Sequence, residues 1–189
     1  MANKVKFGLS NCAYAKATIT DGIASYGTVK SFPGAVSLSM SPSGDRNVFY
    51  ADNIEYYISS NVVGREGDFE VAKIIDAFHE DILGAQTDGQ GVVVDNPFAP
   101  TVHFALLFEF AGDESATRHV LYNCTASAPA IASQTTEGDS VTPVTETLSL
   151  KSSAIYNTVL SSWTDHASCA SASTAYSNWY SAVYQTTTT

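Results

Sequence analysis

Asp68 and Glu70 are residues whose types and spacing could do chemistry. Two apart on a strand, their carboxylates fall on one face, and a carboxylate pair is the smallest equipment for acid/base work. Glu80 and Asp81 form a second acidic pair. Neither pair comes with a partner that would perturb its ionisation, so a solvated acidic face is the reading taken. His103 with Cys124 could make half a zinc site, but nothing nearby in the sequence completes it, and core packing is expected. Cys12, Cys124 and Cys169 lie far apart with no C-x-x-C spacing, which points to buried free thiols rather than a disulfide framework. Asp88-Gly89-Gln90-Gly91 lacks the ligand spacing of a calcium loop and reads as a hairpin turn. His79, beside Glu80 and Asp81, reads as solvent-exposed. Asn123-Cys124-Thr125 matches a glycosylation sequon but falls on an expected core strand. No G-x-S-x-G, H-E-x-x-H or G-x-x-x-x-G-K motif occurs. The chain is expected not to be an enzyme and to hold no metal or cofactor.

The elements that carry these residues are short β segments punctuated by Gly, Pro, Asn and Asp. Val36–Met40 alternates, with Val36, Leu38 and Met40 opposite Ser37 and Ser39. Pro42-Ser43-Gly44-Asp45 predicts a loop after it, running through Ser41–Phe49. Ile54–Ser60 sets Ile54, Tyr56 and Ile58 against Glu55, Tyr57 and Ser59. Gly67–Ile74 sets Phe69 and Val71 against Asp68 and Glu70, and Thr145–Leu150 sets Thr145, Thr147 and Ser149 against Glu146, Leu148 and Leu150. Strands with one wet side belong to antiparallel sheets.

His103–Phe110 and Thr117–Thr125 predict a hairpin. Its register places Glu109 opposite Arg118 as a cross-strand salt pair, Leu107 opposite Val120, Leu106 opposite Leu121, Phe108 opposite His119 and His103 opposite Cys124. The run Ala105–Phe108 is apolar on both faces, so this hairpin is expected to be buried on both sides. Two helices are predicted. Asp76–Leu83 would be capped by Asp76 and ended by Gly84, and Thr174–Tyr184 carries an aromatic stripe at helical spacing. Ser152–Ser173, rich in Ser, Thr and Ala, is expected to become ordered against a neighbouring copy, and Thr125–Pro143 to be a long exposed loop.

With 189 residues the chain fits one structural unit, and 44% hydrophobic residues suffice for an ordinary core. Nine Lys and Arg against 19 Asp and Glu give a net charge of −10. Tight nucleic-acid binding needs clustered cations to neutralise phosphates, so it is not expected here. No apolar run approaches the ~20 residues that span a bilayer. Lys4 and Lys6 interrupt the N-terminal apolar residues, so neither a membrane anchor nor a cleaved signal is expected. Synthesis in the cytosol is expected from that reading.

Several segments together resemble the major tail proteins, or tail tube proteins, of long non-contractile-tailed phages. They are Asn3-Lys4-Val5-Lys6-Phe7-Gly8-Leu9, Phe32-Pro33-Gly34-Ala35-Val36-Ser37-Leu38-Ser39, Phe49-Tyr50-Ala51-Asp52-Asn53, Gly67-Asp68-Phe69-Glu70-Val71-Ala72 and Asp81-Ile82-Leu83-Gly84. The likeness continues through Phe104–Phe110, peaks at Ala116-Thr117-Arg118-His119-Val120-Leu121-Tyr122-Asn123-Cys124, and runs on through Thr145–Leu148 to Asn178-Trp179-Tyr180. Ser161–Ser173 matches no motif of that family.

The resemblance implies a mainly β fold: an antiparallel β-sandwich or partly closed barrel with one short flanking helix and a C-terminal helix or arm. Residues 1–152 would form the tube β-domain, and 153–189 a Ser/Thr-rich arm in the same unit. It also implies a virion tail subunit that assembles with itself into stacked hexameric rings around a bore through which DNA passes without being held. Tape-measure, tail-terminator and distal tail proteins would be its partners. The wet strand faces then supply candidate bore-lining residues: Ser37, Ser39, Glu55, Tyr57, Ser59, Asp68, Glu70, Thr145 and Thr147. Candidate contacts between copies are Asn3, Lys4, Phe7, Ser43, Asp45, Arg46, Phe49 and Trp163. A monomeric carbohydrate-binding β-sandwich, such as an adhesin, and a hydrolase using the acidic pairs stand as alternatives.

Overall fold

The structure, a computed structural model, describes residues 7–113, 115–133, 135 and 143–187, with only the backbone at 45–47 and 59–61. It is mainly β, with every strand pairing antiparallel. The strands are β1 (Leu9–Thr20), β2 (Ile23–Tyr26), β3 (Lys30–Ser31), β4 (Ala35–Ala51), β5 (Ile54–Val71), β6 (Gln86–Thr87), β7 (Val93–Val94), β8 (His103–Phe110), β9 (Arg118–Ala126), β10 (Glu146–Ser153), β11 (Ile155–Asn157), β12 (Ser162–Thr164) and β13 (His166–Cys169). The main sheet runs β2-β1-β8-β9-β10-β5-β4, with β3 on β1 and β13 on β9. β6 pairs β7 around the Asp88 turn, and β11 pairs β12.

The central hairpin has the register its sequence predicts from Glu109↔Arg118 to Leu106↔Leu121. It differs at His103. An extra residue in β9 shifts the pairing, so Phe104 rather than His103 lies across from Cys124. The His103 ring instead hydrogen-bonds Asn123 through Nδ1 at 2.7 Å. The same bulge marks a change of neighbour. β9 pairs β13 over Arg118–Leu121 and β10 over Cys124–Ala126.

β1, β8 and β9 are buried on both faces, as the two-sided apolar run requires. One face packs Tyr14, Phe104, Phe108 and Leu121 against Phe69, Val71, Leu148 and Leu150 of β5 and β10, with Phe32, Phe78 and Ile82 in the same core. The sheet therefore folds over onto itself. The other face packs Ala13, Leu107, Val120 and Tyr122 against Ile155, Cys169, Trp179 and Val183 of the C-terminal segment. That segment is ordered against its own sheet, not held in wait for a neighbour. Cys12, Cys124 and Cys169 are free and buried, and burial pushes the Cys12 and Cys124 thiols up to about 12.

Four local expectations are corrected. Ser41–Phe49 is no loop: β4 runs through it and pairs β5 to Ala51↔Ile54. Pro42 is compatible because β4 is an edge strand, bonded on one side only. The turn lies at Asp52 and Asn53, whose positive φ values of 53° and 62° suit the two-residue hairpin connection. Ile54–Ser60 and Gly67–Ile74 are accordingly parts of one strand that ends at Val71. Ile75, not Asp76, occupies the helix N-cap, and the single α turn Asp76–Phe78 runs into a π turn, His79–Leu83. Gly84 does end it, at φ +77°. Only Tyr176–Asn178 of the second predicted helix forms, as one 3₁₀ turn. Eleven Ser- and Tyr-rich residues are too few to hold a helix by propensity, so packing of Trp179 and Val183 decides the path.

Arg118 fastens this strap. Its Nε donates to Glu109 Oε2 at 3.0 Å, Nη1 donates to the Tyr176 carbonyl at 2.6 Å, and the guanidinium lies 3.7 Å from the Tyr176 ring centroid. Both members of the ion pair are mostly buried. Arg118→Ala should cost about 3 kcal/mol, because Glu109 is left charged and unpaired. Limited proteolysis should then cut first within 170–187; an uncut strap would refute the latch.

Gly64 and Gly67 set how closely β5 lies against its neighbours. A Cβ would stand 2.0 Å from the Ser152 carbonyl oxygen at Gly64 and 1.8 Å from that of Ser39 at Gly67. Backbone atoms cannot swing away as a side chain can. Gly67→Ala should therefore destabilise by about 1–3 kcal/mol, read as a lower urea midpoint. An unchanged midpoint would show that β4 yields freely.

Candidate functional site

Strict alternation on three neighbouring strands builds the most organised polar surface of the described residues. β5 lies between β4 and β10, so each outward β5 carboxylate has a neighbour on either side. Glu70 stands between Ser37 and Thr147, Asp68 between Ser39 and Ser149, and Glu66 between Ser41 and Lys151. The intervening residues, Leu38–Phe69–Leu148 and Met40–Gly67–Leu150, face the core. One side of the same three strands is thus dry and the other is a ladder of hydroxyls and carboxylates.

The hydroxyls hold the acids in place. Thr145 Oγ1 donates to Glu70 Oε1 at 2.6 Å and Ser37 Oγ to Oε2 at 2.9 Å. Ser149 Oγ donates to Asp68 Oδ1 at 3.0 Å. The bond from Thr145 and then that from Ser37 hold the Glu70 carboxyl below its ordinary 4.5. Hydrogen bonds to the charged form favour ionisation, so the ladder keeps its negative charge on mild acidification.

Beyond the last β10 pair, Ser153↔Gly64, β4 and β5 continue alone as a two-stranded ribbon from Gly44↔Val62 to the Asp52-Asn53 turn. Phe49, Tyr50, Ile54, Tyr56, Tyr57, Ile58, Val62 and Val63 are each 47–68% exposed. Apolar side chains stand out along both strands, which a ribbon in water cannot shelter by itself.

At the foot of the ribbon the core opens into a cavity of about 260 Å³ lined by Leu38, Met40, Phe108, Phe110 and Leu121, with Arg65, His119 and His166. Arg65 Nε donates to Asp165 Oδ2 at 2.7 Å across the place where β9 changes neighbours. His119 Nδ1 lies 3.1 Å from His166 Nε2, with ring centroids 5.3 Å apart and planes 20° apart. The centroid separation exceeds the nitrogen separation by about two ring radii. The nitrogens therefore face each other edge to edge, sharing a hydrogen bond rather than stacking face on face.

Of the candidate bore residues, Ser37, Ser39, Asp68, Glu70, Thr145 and Thr147 come together in the ladder. Glu55 and Tyr57 do not: they lie on the ribbon, where Tyr50 Oη donates to Glu55. The Ser59 side chain lies outside the described residues, as do those of Asp45 and Arg46 on the same ribbon. Asn3 and Lys4 also fall outside. Ser43 sits at the ribbon's foot opposite Gly64. Phe7 is exposed, its carbonyl accepting from Gly112 N. Trp163 is exposed on β12, edge-on to Tyr156. Glu109 and Arg118 form the expected pair. Sequence reasoning missed Ser41, Glu66 and Lys151, although simple extension of the alternation by one more row reaches them. His79 is half-buried rather than free in solvent, and Asn123 is buried in its strand.

Among the described residues no group of three His, Cys, Asp or Glu is placed to hold a metal ion, and no helix is long and apolar enough to cross a membrane. No protein-family model matches the chain, and no curated protein sequence matches it either.

Because the folded pKa of Glu70 is depressed, its contribution to stability is present above the ordinary value and is lost only as pH falls through the lower, folded one. A carboxyl ¹³C titration should place the Glu70 midpoint below 4.5, and Thr145→Val should move it upward. A wild-type midpoint at or above 4.5 would show that the hydroxyl bonds do not persist in solution.

Proposed function

We propose that this chain is a structural subunit that assembles with itself into rings stacked as a tube, in the manner of the phage major tail proteins its sequence resembles. The observation that carries the reading is the sidedness of β4, β5 and β10: an apolar face committed to the core, and an outward face of hydroxyls and fixed carboxylates. Lining a bore, such a face repels phosphates through Glu66, Asp68 and Glu70 and sets its one cation, Lys151, beside Glu66, so a polyanion is not held tightly. The open edge of β4 and the unsheltered ribbon supply what self-assembly needs, since an unpaired edge is a template for another chain. A head-to-tail contact that closes gives a ring, and a second such contact stacks the rings. The virion tail is where such a tube would stand, with a tape-measure protein inside it during assembly and terminator and distal tail proteins at its ends.

Negative-stain microscopy of the concentrated, purified protein tests this directly. Rings or tubes are expected; a monomer at every concentration would overturn the reading. Tubes carrying Asp68→Lys with Glu70→Lys should still form, and should retain duplex DNA in a pull-down where the wild-type tubes do not. Equal, negligible retention by both would remove these residues from the bore.

A further inference from the structure

We propose that the His119–His166 pair is a proton-sensitive latch, which holds β13 on β9 near neutral pH and releases it on mild acidification. Such a latch works within one chain, whether or not copies assemble.

The fold holds the two imidazoles together. His166 pairs with Leu121 and Ser168 with His119, so the histidines are diagonal neighbours on one face of β9 and β13. Their facing nitrogens, His119 Nδ1 and His166 Nε2, meet at 3.1 Å. His119 lies flat on Phe108, with ring centroids 5.2 Å apart and planes 14° apart, and Phe110 packs edge-on against it. That packing fixes His119 to the central hairpin. His166 sits on the four-residue strand β13, which pairs with β9 and with no other described strand. Repulsion within the pair is therefore relieved by moving β13.

A hydrogen bond between two ring nitrogens needs a proton on one and a lone pair on the other. It survives in the neutral pair and in the pair carrying one charge. A second proton sets two N–H groups against each other and puts like charges on rings whose centroids are 5.3 Å apart. At the cavity, β4 and β8 face the pair with Leu38, Met40, Phe108 and Phe110, none of them titratable. The charged groups around it are Arg65 of β5, held by Asp165 just before β13, and Asp113 of the β8–β9 turn, within electrostatic reach of His119. Asp113 favours the first charge, and Arg65 and Asp165 largely cancel one another. The charge that a second proton meets is thus mainly that of the first. Once β13 lifts, both imidazoles recover the ordinary value of about 6.5. The open form then binds more protons than the closed one, so the closed form loses stability as pH falls below that value, by up to about tenfold in population per unit.

Hydrogen exchange of the full chain at about pH 7.5 and about pH 5, corrected for the intrinsic rate at each, tests the latch. The Tyr122 amide, which donates to the Asp165 carbonyl at 3.1 Å, and the amides of β13 report its opening. Their protection should fall about tenfold or more at the lower pH while that of β1 and β8 holds. His166→Gln keeps a hydrogen-bonding amide where Nε2 stands, and His119→Asn does the same for Nδ1, yet neither replacement titrates. Either variant should flatten the response, and the second serves should the first fold poorly. His79 and His103 remain in both variants, so a fall that persists in them has another source and overturns the latch. A flat wild-type response overturns it too, as does a fall shared equally by β1 and β8, which is global unfolding.

Discussion

Everything in this molecule depends on the register in which β5 lies between β4 and β10. Side chains alternate with a period of two, so a slip of one residue would send Glu66, Asp68 and Glu70 into the core and Phe69 and Val71 into water. Burying three carboxylates without cations to pair them is far costlier than any gain from a different backbone pairing. The register is also fixed sterically. Gly67 lies so close to the Ser39 carbonyl that no other residue fits there without displacing backbone, and Gly64 does the same against Ser152. Polar pattern and backbone contact enforce the same alignment, as expected of a sequence whose local and global preferences agree.

That alignment has a consequence for the far side of the sheet. With one face of β1, β8 and β9 spent on the core shared with β5 and β10, the other face of the same strands remains apolar and needs its own cover. The C-terminal strap provides it. Arg118 does not act there as an isolated charge: its planar guanidinium meets a carboxylate, a carbonyl and a Tyr ring at once, a combination Lys could not reproduce. Trp179 Nε1, 3.4 Å from the His119 carbonyl, gives the largest buried side chain its one polar contact with the sheet. The strap is thus a second layer of core, with its order set by packing.

Those two physical situations explain which features were legible in the sequence. Ser37–Leu38–Ser39 and Asp68–Phe69–Glu70 alternate so plainly that both the strands and their wet face could be read, and opposite charges with matched apolar neighbours gave the Glu109–Arg118 register. Pro42 and Gly44 misled because both are loop signals in isolation, and only the edge position of β4, a tertiary fact, makes them acceptable in a strand. The stronger signal was Asp52-Asn53, a pair suited to left-handed backbone at the tip of a hairpin. His103 missed its partner through a bulge that no local pattern announces. The aromatic stripe from Tyr176 to Tyr184 identified what is buried but not the backbone that buries it, since an irregular strap can present Trp179 and Val183 inward as well as a helix can. The cavity was illegible for a similar reason: Leu38, Phe108 and His166 are brought together only by the folding over of the sheet.

The ribbon is the longest stretch of the described strands in which apolar side chains meet solvent. Isolated cases such as Ile23, Val36 and Trp163 occur elsewhere, but past Gly64 the β-forming composition continues while the third strand stops. Val, Ile, Phe and Tyr in an unsupported two-stranded ribbon give up the free energy that burial would supply and add a hazard of indiscriminate pairing. Asp52 and Glu55 near the ribbon's tip and a net charge of −10 weigh against indiscriminate pairing. The acidic ladder and the apolar ribbon are thus two ends of one long hairpin: where β10 lies alongside, one face is buried and the other polar, and where β10 stops, both faces meet solvent.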